Sequence, residues 1–422
     1  MNLDALKGWT PTQKHVVTAG FLGWMLDAFD FFLLVFVITD VAKEFGYGEN
    51  VAPVALALTL TLGFRPIGAF VFGRLADRYG RRPILMLDVA LYSVLAFATA
   101  FAPNLTVFLI LRALFGIAMG GEWGTGASLT METVRPESRG FVSGLLQSGY
   151  PCGYLLASIV FAILYPFIGW RGMFMVGILP ALLILYIRRH VPESPGWAPQ
   201  AREVGGTVAV LRSHWPLALF AILLMTAFNF FSHGTQDLYP TFLQTQHGFG
   251  HATVSTIAIV YNIGAIVGGI GFGMASQRYG RRRMIVIGAL LSILVAPLWA
   301  FAPTAALLGL GAFLMQVCVQ GCWGVIPAHL NEISPPEARG TFPGTVYQLG
   351  NFIASSNASL QVWFAGMVGG KYSIALATVA VAAAIVIAIL ASLSREAKDA
   401  VLHEGPTRPA PESKPEASPA LS

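Results

Sequence analysis

Apolar residues along the chain form long blocks of about twenty, separated by short charged or Pro- and Gly-rich segments. A helix of about twenty apolar residues spans the roughly 30 Å hydrocarbon core of a bilayer. The pattern therefore predicts an all-α membrane protein with transmembrane helices near the following twelve ranges: 16–40, 51–73, 84–102, 105–132, 140–165, 170–188, 215–240, 253–276, 284–302, 305–330, 341–367 and 372–393.

Composition supports this prediction and excludes an ordinary soluble protein. The chain is 55% hydrophobic and 11% charged, whereas soluble domains carry roughly 25% charged residues. Its net charge of +5 does not indicate nucleic acid, because the basic residues lie in alternate loops between the spans. By the positive-inside rule these loops are cytoplasmic. We therefore expect an integral plasma (inner) membrane protein with both termini in the cytoplasm.

An internal repeat at an offset of 200 residues organises the chain. Residues 78–82 (Arg-Tyr-Gly-Arg-Arg) recur at 278–282, and 101–103 (Phe-Ala-Pro) recur at 301–303. Two parallel halves of six helices imply two bundles that rock about a site at their interface. The two predicted bundles are 1–188 and 215–393, and residues 189–214 form a cytoplasmic linker between them. Residues 394–422 are predicted to be a disordered, Pro- and Ser-rich cytoplasmic tail.

The loop after the second predicted span carries a known signature. Residues 73–82 (Gly-Arg-Leu-Ala-Asp-Arg-Tyr-Gly-Arg-Arg) resemble the cytoplasmic motif of the major facilitator superfamily, and in the copy after the eighth span Gln277 replaces Asp77. The resemblance covers residues 15–393 and implies the major facilitator fold with alternating access. It also implies a gating role for these residues: Gly73, Asp77, Arg78, Gly80, Arg81, Gly273, Arg278, Gly280 and Arg281.

The charged residues inside the spans include five that have no charged counterpart at the 200-residue offset. A charge at the bilayer centre costs at least roughly 2.5–3.5 kcal/mol, so each must pair, take up a proton or line water. Functional roles are the default interpretation, and static ion pairs between helices are the alternative. The five, with their counterparts, are Asp27 (Ala227), Asp30 (Phe230), Arg65 (Ala265), Arg112 (Ala312) and Glu122 (Cys322).

Helical spacing suggests how these charges pair. Asp27 and Asp30 share a face of the first helix, with Asp27 at a depth similar to Arg65 and Asp30 nearer to Arg112. We expect Arg112 to bind a substrate carboxylate through its planar fork, with Arg65 as a possible second cation. Displacement of Asp30 from Arg112 by the substrate would then let Asp30 take up a proton. Further candidates for proton coupling are Asp27, Asp237 and Glu122.

The seventh span contains a polar stripe in a Phe- and Leu-rich helix. Asn229, His233 and Asp237 are four residues apart and therefore share one helix face; interhelical hydrogen bonding is the alternative to a substrate role. The run from Asn229 to Thr241 resembles the seventh-span signature of the lactate permease group, within the sialate:proton symporter family. Gln348 and Asn351 in the eleventh span match a pair in the same group. This resemblance implies the following substrate-pathway residues: Asn229, His233, Asp237, Gln348 and Asn351.

The leading hypothesis is a proton-coupled symporter of small monocarboxylates such as lactate or pyruvate, and the alternative is a proton-coupled transporter of sialic or aromatic acids. An enzyme is not expected, because the chain has no phosphate-binding Gly loop, no His-Glu-x-x-His metal motif and no nucleophile elbow. A transport-derived sensor would need a soluble output domain. The expected partners are a small carboxylate, a proton and the lipid bilayer, with no cofactor, metal or nucleic acid, and the expected functional form is a monomer.

Overall fold

The computed structural model describes residues 8–48, 50, 52–197, 206–398, 400 and 402. The first half consists of helices α1 (Pro11–Glu44), α2 (Ala52–Tyr79), α3 (Arg81–Thr99), α4 (Leu105–Thr133), α5 (Arg139–Val176) and α6 (Leu182–His190). Helix α7 (Gly206–Ser213) follows. The second half consists of α8 (Trp215–Gln236), α9 (Tyr239–Thr245), α10 (His251–Tyr279), α11 (Arg281–Phe301), α12 (Ala305–Ile333), α13 (Phe342–Ala354), α14 (Asn357–Met367) and α15 (Tyr372–Leu393).

Ten helices within these ranges are long and apolar enough to cross a membrane. The other two predicted spans are interrupted. Helix α5 contains both the fifth predicted span and the start of the sixth, which are separated by a non-helical residue at Gly169, whose φ of 61° favours glycine. The sixth span then continues through a 3₁₀ turn at Leu179–Ala181 into α6. The eleventh span is divided between α13 and α14, where the hydroxyl of Ser355 donates to the carbonyl of Phe352 at 2.6 Å. The predicted all-α, twelve-span fold is thus confirmed, with two of its spans broken.

The repeat is visible in how corresponding helices begin. Asn104 precedes α4 and accepts a hydrogen bond from the backbone N–H of Val107 at 3.0 Å. Thr304 precedes α12 at the equivalent position and accepts from the N–H of Leu307 at 3.3 Å. Such side chains satisfy N–H groups that the first turn leaves without an intrahelical partner. Both halves therefore set the start of the same helix in the same way.

Large apolar side chains cover the outside of the bundle. Phe167 and Leu294 are 85% and 76% exposed, which in a membrane protein means contact with lipid rather than water. The polar and charged side chains within the spans lie between helices instead, as expected when their exposure to hydrocarbon is costly. The interior is consequently where the protein's chemistry is concentrated.

The two halves meet closely on the side that carries the arginine-rich loops after α2 and α10, which we call the basic-loop side. A Cβ atom built on Gly144 of α5 would lie 2.2 Å from the carbonyl oxygen of Gly269 on α10. A Cβ on Gly73 of α2 would lie 2.7 Å from Cα of Thr341. Only glycine permits such backbone contacts. The halves are therefore closed against each other on this side.

Segments after α6 and α15 add to the basic-loop side in matching ways. Glu193 accepts hydrogen bonds from the backbone N–H groups that start α3, at 2.8 Å from that of Arg81. Glu396 does the same for α11, at 3.1 Å from the N–H of Arg281. Arg339 also donates to the carbonyl of Leu402 at 2.6 Å. Residues 198–205 of the predicted linker and 403–422 of the predicted disordered tail lie outside the described residues.

The contact between Gly144 and α10 generates a test of this closure. Gly144→Leu places a side chain where the Gly269 carbonyl lies, so it should separate the halves on the basic-loop side. Spin labels in the loops after α2 and α10 should then lie further apart than in the unsubstituted protein. Gly366→Leu is the matched control, because a Cβ there meets nothing within 4 Å. An unchanged label distance in Gly144→Leu would mean that this contact does not hold the halves together.

Candidate functional site

A cavity of about 430 Å³ lies between the two halves, at mid-depth in the bundle. Helices α1, α2 and α5 form its wall on one side, and α8, α10, α12 and α13 form it on the other. The wall extends to Val35, Leu58 and Pro240, which lie in the parts of their helices away from the basic-loop side. The basic-loop side is closed, and the cavity extends away from it. A ligand would therefore reach the cavity from the opposite side.

Aromatic rings from both halves form much of the wall. Trp24 of α1 lies 5.6 Å from Tyr150 of α5 and 6.5 Å from Tyr347 of α13, measured between ring centroids. Tyr347 in turn lies 5.3 Å from Trp323 of α12. These separations are typical of favourable aromatic pairs. The full set lining the cavity is Trp24, Phe31, Phe32, Tyr150, Tyr154, Tyr261, Trp323 and Tyr347.

The predicted polar stripe of α8 faces this cavity. His233 contacts Asp237 through Nδ1 at 3.2 Å and Asn351 of α13 through Nε2 at 3.1 Å. The amide of Asn351 donates to Gln348 at 3.3 Å, which orients it. Asn229, His233, Asp237 and Asn351 line the cavity, whereas Gln348 is buried and acts on the cavity through Asn351. In this arrangement both ring nitrogens of His233 face oxygen atoms, one of Asp237 and one of Asn351.

A second polar group lies beside the stripe, where Ser232 and Gln236 of the seventh-span run meet two glutamines of α12 that no sequence pattern predicted. Gln236 of α8 donates to Gln316 of α12 at 2.9 Å, and Gln320 donates to Ser232 at 3.3 Å. Gln236, Ser232 and Gln320 line the cavity. Glutamines within an apolar span are the signal that could have identified this group, because buried amides need hydrogen-bond partners.

Arg65 is the one arginine among the described residues that line the cavity. Its Nη2 atom lies 3.9 Å from Asp27 and 2.7 Å from the sulfur of Met119. Its guanidinium also lies over the ring of Phe31, 5.3 Å from the centroid. The distance to Asp27 allows charge attraction without a close bidentate hydrogen-bonded pair. Arg65 is thus a cation with hydrogen-bonding capacity left at the cavity wall.

Arg112, which the sequence favours over Arg65 for substrate binding, is not among the described cavity-lining residues. It is fully buried within the first half, with its guanidinium 3.9 Å from the ring centroid of Phe115 and 5.8 Å from that of Phe174. Asp30, which helical spacing places near Arg112, is buried as well. A Cβ on Gly177 would lie 3.1 Å from Oδ1 of Asp30, so this carboxyl packs against the turn after α5. Asp30 and Arg112 are thus both buried in the first half, and neither is among the described residues that line the cavity.

Two further buried acids lie behind Arg65. A Cβ on Gly23 would lie 2.3 Å from Oε1 of Glu122, so Glu122 of α4 reaches the surface of α1. A Cβ on Gly121 would lie 2.8 Å from Oδ1 of Asp88, a residue of α3 that the analysis of charges above does not include. Asp88 is fully buried. Its signal in the sequence is the same as for the other five, because Gly288 stands at its repeat position.

The predicted gating residues occupy the closed side. Asp77 of α2 accepts hydrogen bonds from the backbone N–H groups of Gly340 and Thr341, at 2.8 and 3.1 Å, just before α13. It also pairs with Arg81 at 2.9 Å. In the second half Gln277 accepts from the N–H of Gly140 at 3.2 Å, the same contact with the halves exchanged.

The other gating candidates divide into buried and exposed groups. Arg81 and Arg281 are buried and bind Glu132 at 3.3 Å and Glu332 at 2.9 Å. Arg78 and Arg278 instead extend over the rings of the exposed Tyr79 and Tyr279. Gly80 and Gly280 have φ values of 110° and 99°, which only glycine adopts readily. Gly73 and Gly273 lie in the interface between the halves. This geometry joins the halves; the gating role itself remains a prediction.

Twelve spans in two repeated halves, closed at one end around a central polar cavity, define a membrane transport protein. The family profile of the Major Facilitator Superfamily matches residues 20–272 and again 237–420. The chain therefore belongs to the Major Facilitator Superfamily and is a transporter rather than an enzyme.

Individual relatives agree with this assignment. The chain is 27% identical over 385 residues to Sialic acid transporter NanX of Escherichia coli (strain K12), which covers 90% of this chain and 94% of NanX. It is 29% identical over 374 residues to Carboxylic acid transporter protein homolog of Saccharomyces cerevisiae, covering 82% of this chain and 60% of that protein. The structure of the proton:xylose symporter XylE, at 19% identity, superposes with a TM-score of 0.68 over 89% of this chain and 94% of XylE. This last likeness shows the fold alone.

The Asp77 contacts generate a prediction about transport. Asp77→Asn removes the negative charge and leaves one acceptor oxygen for three donors, which are the N–H of Gly340 and the N–H and hydroxyl of Thr341. Each hydrogen bond to a charged group contributes about 1.5–3 kcal/mol. Closure on the basic-loop side should weaken and transport should fall by at least about tenfold, while equilibrium substrate binding stays largely intact. Thr341→Val, which removes only the hydroxyl contact at 2.6 Å, should have a smaller effect. Normal transport by Asp77→Asn would contradict the proposed role.

Proposed function

We propose that the protein transports an organic monocarboxylate together with a proton by alternating access. The observation that carries this proposal is the composition of the cavity wall: a single arginine on one half faces a hydrogen-bonding stripe on the other. One cation suits one carboxylate. Because the two sets of groups lie on different halves, a substrate bound to both would couple its own binding to their relative movement.

Arg65 is the proposed binding site for the carboxylate. A guanidinium presents two parallel N–H groups to the two oxygens of a carboxylate, and the 3.9 Å separation from Asp27 leaves that geometry open to a ligand. From the second half Asn229, His233 and Asn351 offer hydrogen bonds to the rest of the substrate. This assignment changes the expectation from the sequence, since Arg112 packs against Phe115 instead of facing the cavity.

The two candidate classes of substrate differ in size. The seventh-span signature supports lactate or pyruvate, whereas the cavity of about 430 Å³ and its eight aromatic rings favour the alternative, an aromatic or sialic acid. Cavities of roughly 300–1,000 Å³ usually enclose ligands larger than lactate. The relatives include a sialic acid transporter and a carboxylic acid transporter homolog, which supports an organic acid of either size.

Proton coupling is proposed to arise from competition between two carboxylates for Arg65. Asp27 is attracted to Arg65 while the cavity is empty of substrate. When a substrate carboxylate takes the guanidinium, Asp27 loses its partner in a fully buried position and takes up a proton, so the loaded site stays near neutral. Helical spacing favours Asp30 for this role, but neither Asp30 nor Arg112 is among the described cavity-lining residues. The His233–Asp237 pair is the alternative proton carrier.

The single chain forms the whole cavity, which supports function as a monomer. The arginine-rich loops support, by the positive-inside rule, a cytoplasmic location for the basic-loop side and for both termini. Relatives from bacteria support the plasma membrane. Orientation, oligomeric state and membrane remain proposals.

The experiment is uptake into proteoliposomes under an imposed pH gradient, with radiolabelled lactate, benzoate and sialic acid compared in parallel. We expect accumulation of one acid, by about tenfold per pH unit for one proton per monocarboxylate. Asp27→Asn should abolish this accumulation but retain exchange of labelled for unlabelled substrate. If Asp237→Asn has that effect and Asp27→Asn does not, the proton carrier is the His233–Asp237 pair. Equal uptake with and without the gradient would reject proton coupling.

The choice between the two arginines gives a separate prediction. Arg65→Lys keeps the charge but loses the planar fork, so affinity for the transported acid should fall by at least about tenfold, a difference of about 1.4 kcal/mol. Arg112→Lys is the matched control and should leave affinity within a few fold. Equilibrium binding to purified protein measures both. The reverse result would show that Arg112 contacts the substrate.

A further inference from the structure

Four side-chain amides in the cavity wall have their nitrogens bound to protein and their oxygens left open. They lie on α8, α10 and α12, and all of them line the cavity. Each amide nitrogen donates a hydrogen bond to a protein group, whereas the amide oxygen has no partner among the described residues. These oxygens are not enclosed by protein either, so they face the cavity. We call the four the acceptor amides: Asn229, Gln236, Asn262 and Gln320.

Backbone carbonyls fix the orientation of two acceptor amides. Nδ2 of Asn229 donates to the carbonyl of Met225 at 2.8 Å, and Nδ2 of Asn262 donates to that of Ala258 at 2.9 Å. A carbonyl oxygen only accepts hydrogen bonds, so the nitrogen of each amide must face it and Oδ1 must point away. Both side chains are more than nine-tenths buried. What their oxygens meet is therefore whatever occupies the cavity.

A chain of hydrogen bonds fixes Gln236 in the same sense. The hydroxyl of Thr235 donates to the carbonyl of Phe231 at 2.9 Å, so it accepts from the amide nitrogen of Gln316 at 3.1 Å. The oxygen of Gln316 in turn accepts from the nitrogen of Gln236 at 2.9 Å. Since the proton of Thr235 is already committed to a carbonyl, the direction of the whole chain is set. The Oε1 atom of Gln236 is left without a partner.

The first half presents donors to the same cavity. The indole N–H of Trp123 donates to Oε1 of Gln147 at 3.4 Å. An indole only donates, so the amide nitrogen of Gln147 points away from it, and this nitrogen has no partner among the described residues. Gln147 and Arg65 both line the cavity. The tyrosine hydroxyls of the wall can donate or accept and therefore set no direction. Of the groups with a fixed direction, the donors thus come from the first half and the acceptor amides from the second.

The repeat shows that the scaffold does not need the acceptor amides. Three of them have apolar side chains at the equivalent positions of the first half, and the fourth has a glycine. A polar group within an apolar span costs free energy unless it is hydrogen-bonded, so its presence in one half only favours a role in ligand recognition. The counterparts of Asn229, Gln236, Asn262 and Gln320 are Phe29, Phe36, Leu62 and Gly120.

Open acceptor oxygens select the chemistry of the ligand. Without a ligand they bind water, and a ligand that displaces this water loses affinity unless it supplies the same hydrogen bonds. A hydrocarbon or aromatic C–H surface cannot do so, whereas an O–H group can. A site built to bind a substrate hydroxyl rejects the analogue that lacks it, because its own polar groups are then left unpaired. Four open acceptors therefore suit a ligand with several hydroxyls.

We propose that the transported acid is a polyhydroxylated monocarboxylate, such as a sugar acid. Its carboxylate binds Arg65 and Gln147 on the first half, and its hydroxyls donate to the acceptor amides on the second. The aromatic rings of the wall contact its carbon skeleton. This inference rests on the proposed function and narrows it, because it places polyhydroxylated acids above lactate, pyruvate and unhydroxylated aromatic acids.

Equilibrium binding of two sets of acids to the purified protein tests the selection. The first set is gluconate, quinate and sialic acid; the second is hexanoate, cyclohexanecarboxylate, benzoate and lactate. Hexanoate and cyclohexanecarboxylate have the carbon skeletons of gluconate and quinate without the hydroxyls. We expect the tightest binder to belong to the first set, with at least about tenfold higher affinity than every acid of the second. An acid of the second set that binds as tightly, or no binding by any acid of the first, overturns the proposal.

Removing one acceptor tests the residues themselves. Asn262→Leu should lower the affinity for the polyhydroxylated acid by at least about tenfold relative to that for cyclohexanecarboxylate, whereas a merely structural defect would lower both alike. Asn331→Leu is the matched control, because Asn331 makes the same contact to a carbonyl one turn earlier, at 2.8 Å from that of Pro327, but does not line the cavity. If Asn262→Leu folds poorly, Gln236→Met serves instead. An unchanged affinity ratio in the variant that folds overturns the assignment.

Uptake into proteoliposomes separates failure of this inference from failure of the proposed function. Gradient-driven uptake of lactate or benzoate, with none of gluconate, quinate or sialic acid, would overturn the inference and leave the proposed function standing. Uptake of none of these acids would reject the proposed function itself. The two binding experiments would still report whether the cavity selects hydroxyl groups.

Discussion

The free-energy cost of a charge in hydrocarbon is the constraint on which this structure depends. Every helix is apolar on its lipid-facing surface, so charged groups of the spans are confined between helices. Arg65 with Asp27 is such a confined pair, and Arg112 and Asp30 are buried between helices as well. Because a confined charge needs a partner or a proton, the proposed coupling has substrate binding at Arg65 change where a proton is bound.

The repeat separates what the scaffold requires from what the chemistry requires. Contacts that close the basic-loop side exist in both halves, since Asp77 binds before α13 and Gln277 binds at the start of α5. The buried charges exist in the first half, and the amide and histidine groups that face them come from the second. The first half thus contributes Arg65 to the cavity, and the second contributes the amide groups and the His233–Asp237 pair. A substrate that needs both can be held only while the halves are in register.

Closure and binding are linked by the same helices. Helix α13 receives Asp77 at its start and carries Tyr347, Gln348 and Asn351 further along. Helix α2 carries Asp77 near one end and Arg65 in the cavity wall. A movement that breaks the contacts of Asp77 would displace α13 relative to α2, and with it Asn351 relative to Arg65. The proposed rocking of the two bundles would therefore move the site and the closed side together.

The sequence alone determined the twelve spans, the repeat, the family and most of the polar site, because hydrocarbon thickness and helical periodicity are local constraints that leave a direct pattern in the chain. The stripe of Asn229, His233 and Asp237 follows from spacing on one helix. The tertiary structure decided which arginine faces the cavity. Both Arg65 and Arg112 lie inside predicted spans, and only the packing of α2 and α4 determines which of them borders the cavity. It also revealed Asp88 among the buried acids. Its surroundings come from other helices and are set by packing rather than by any pattern within one segment.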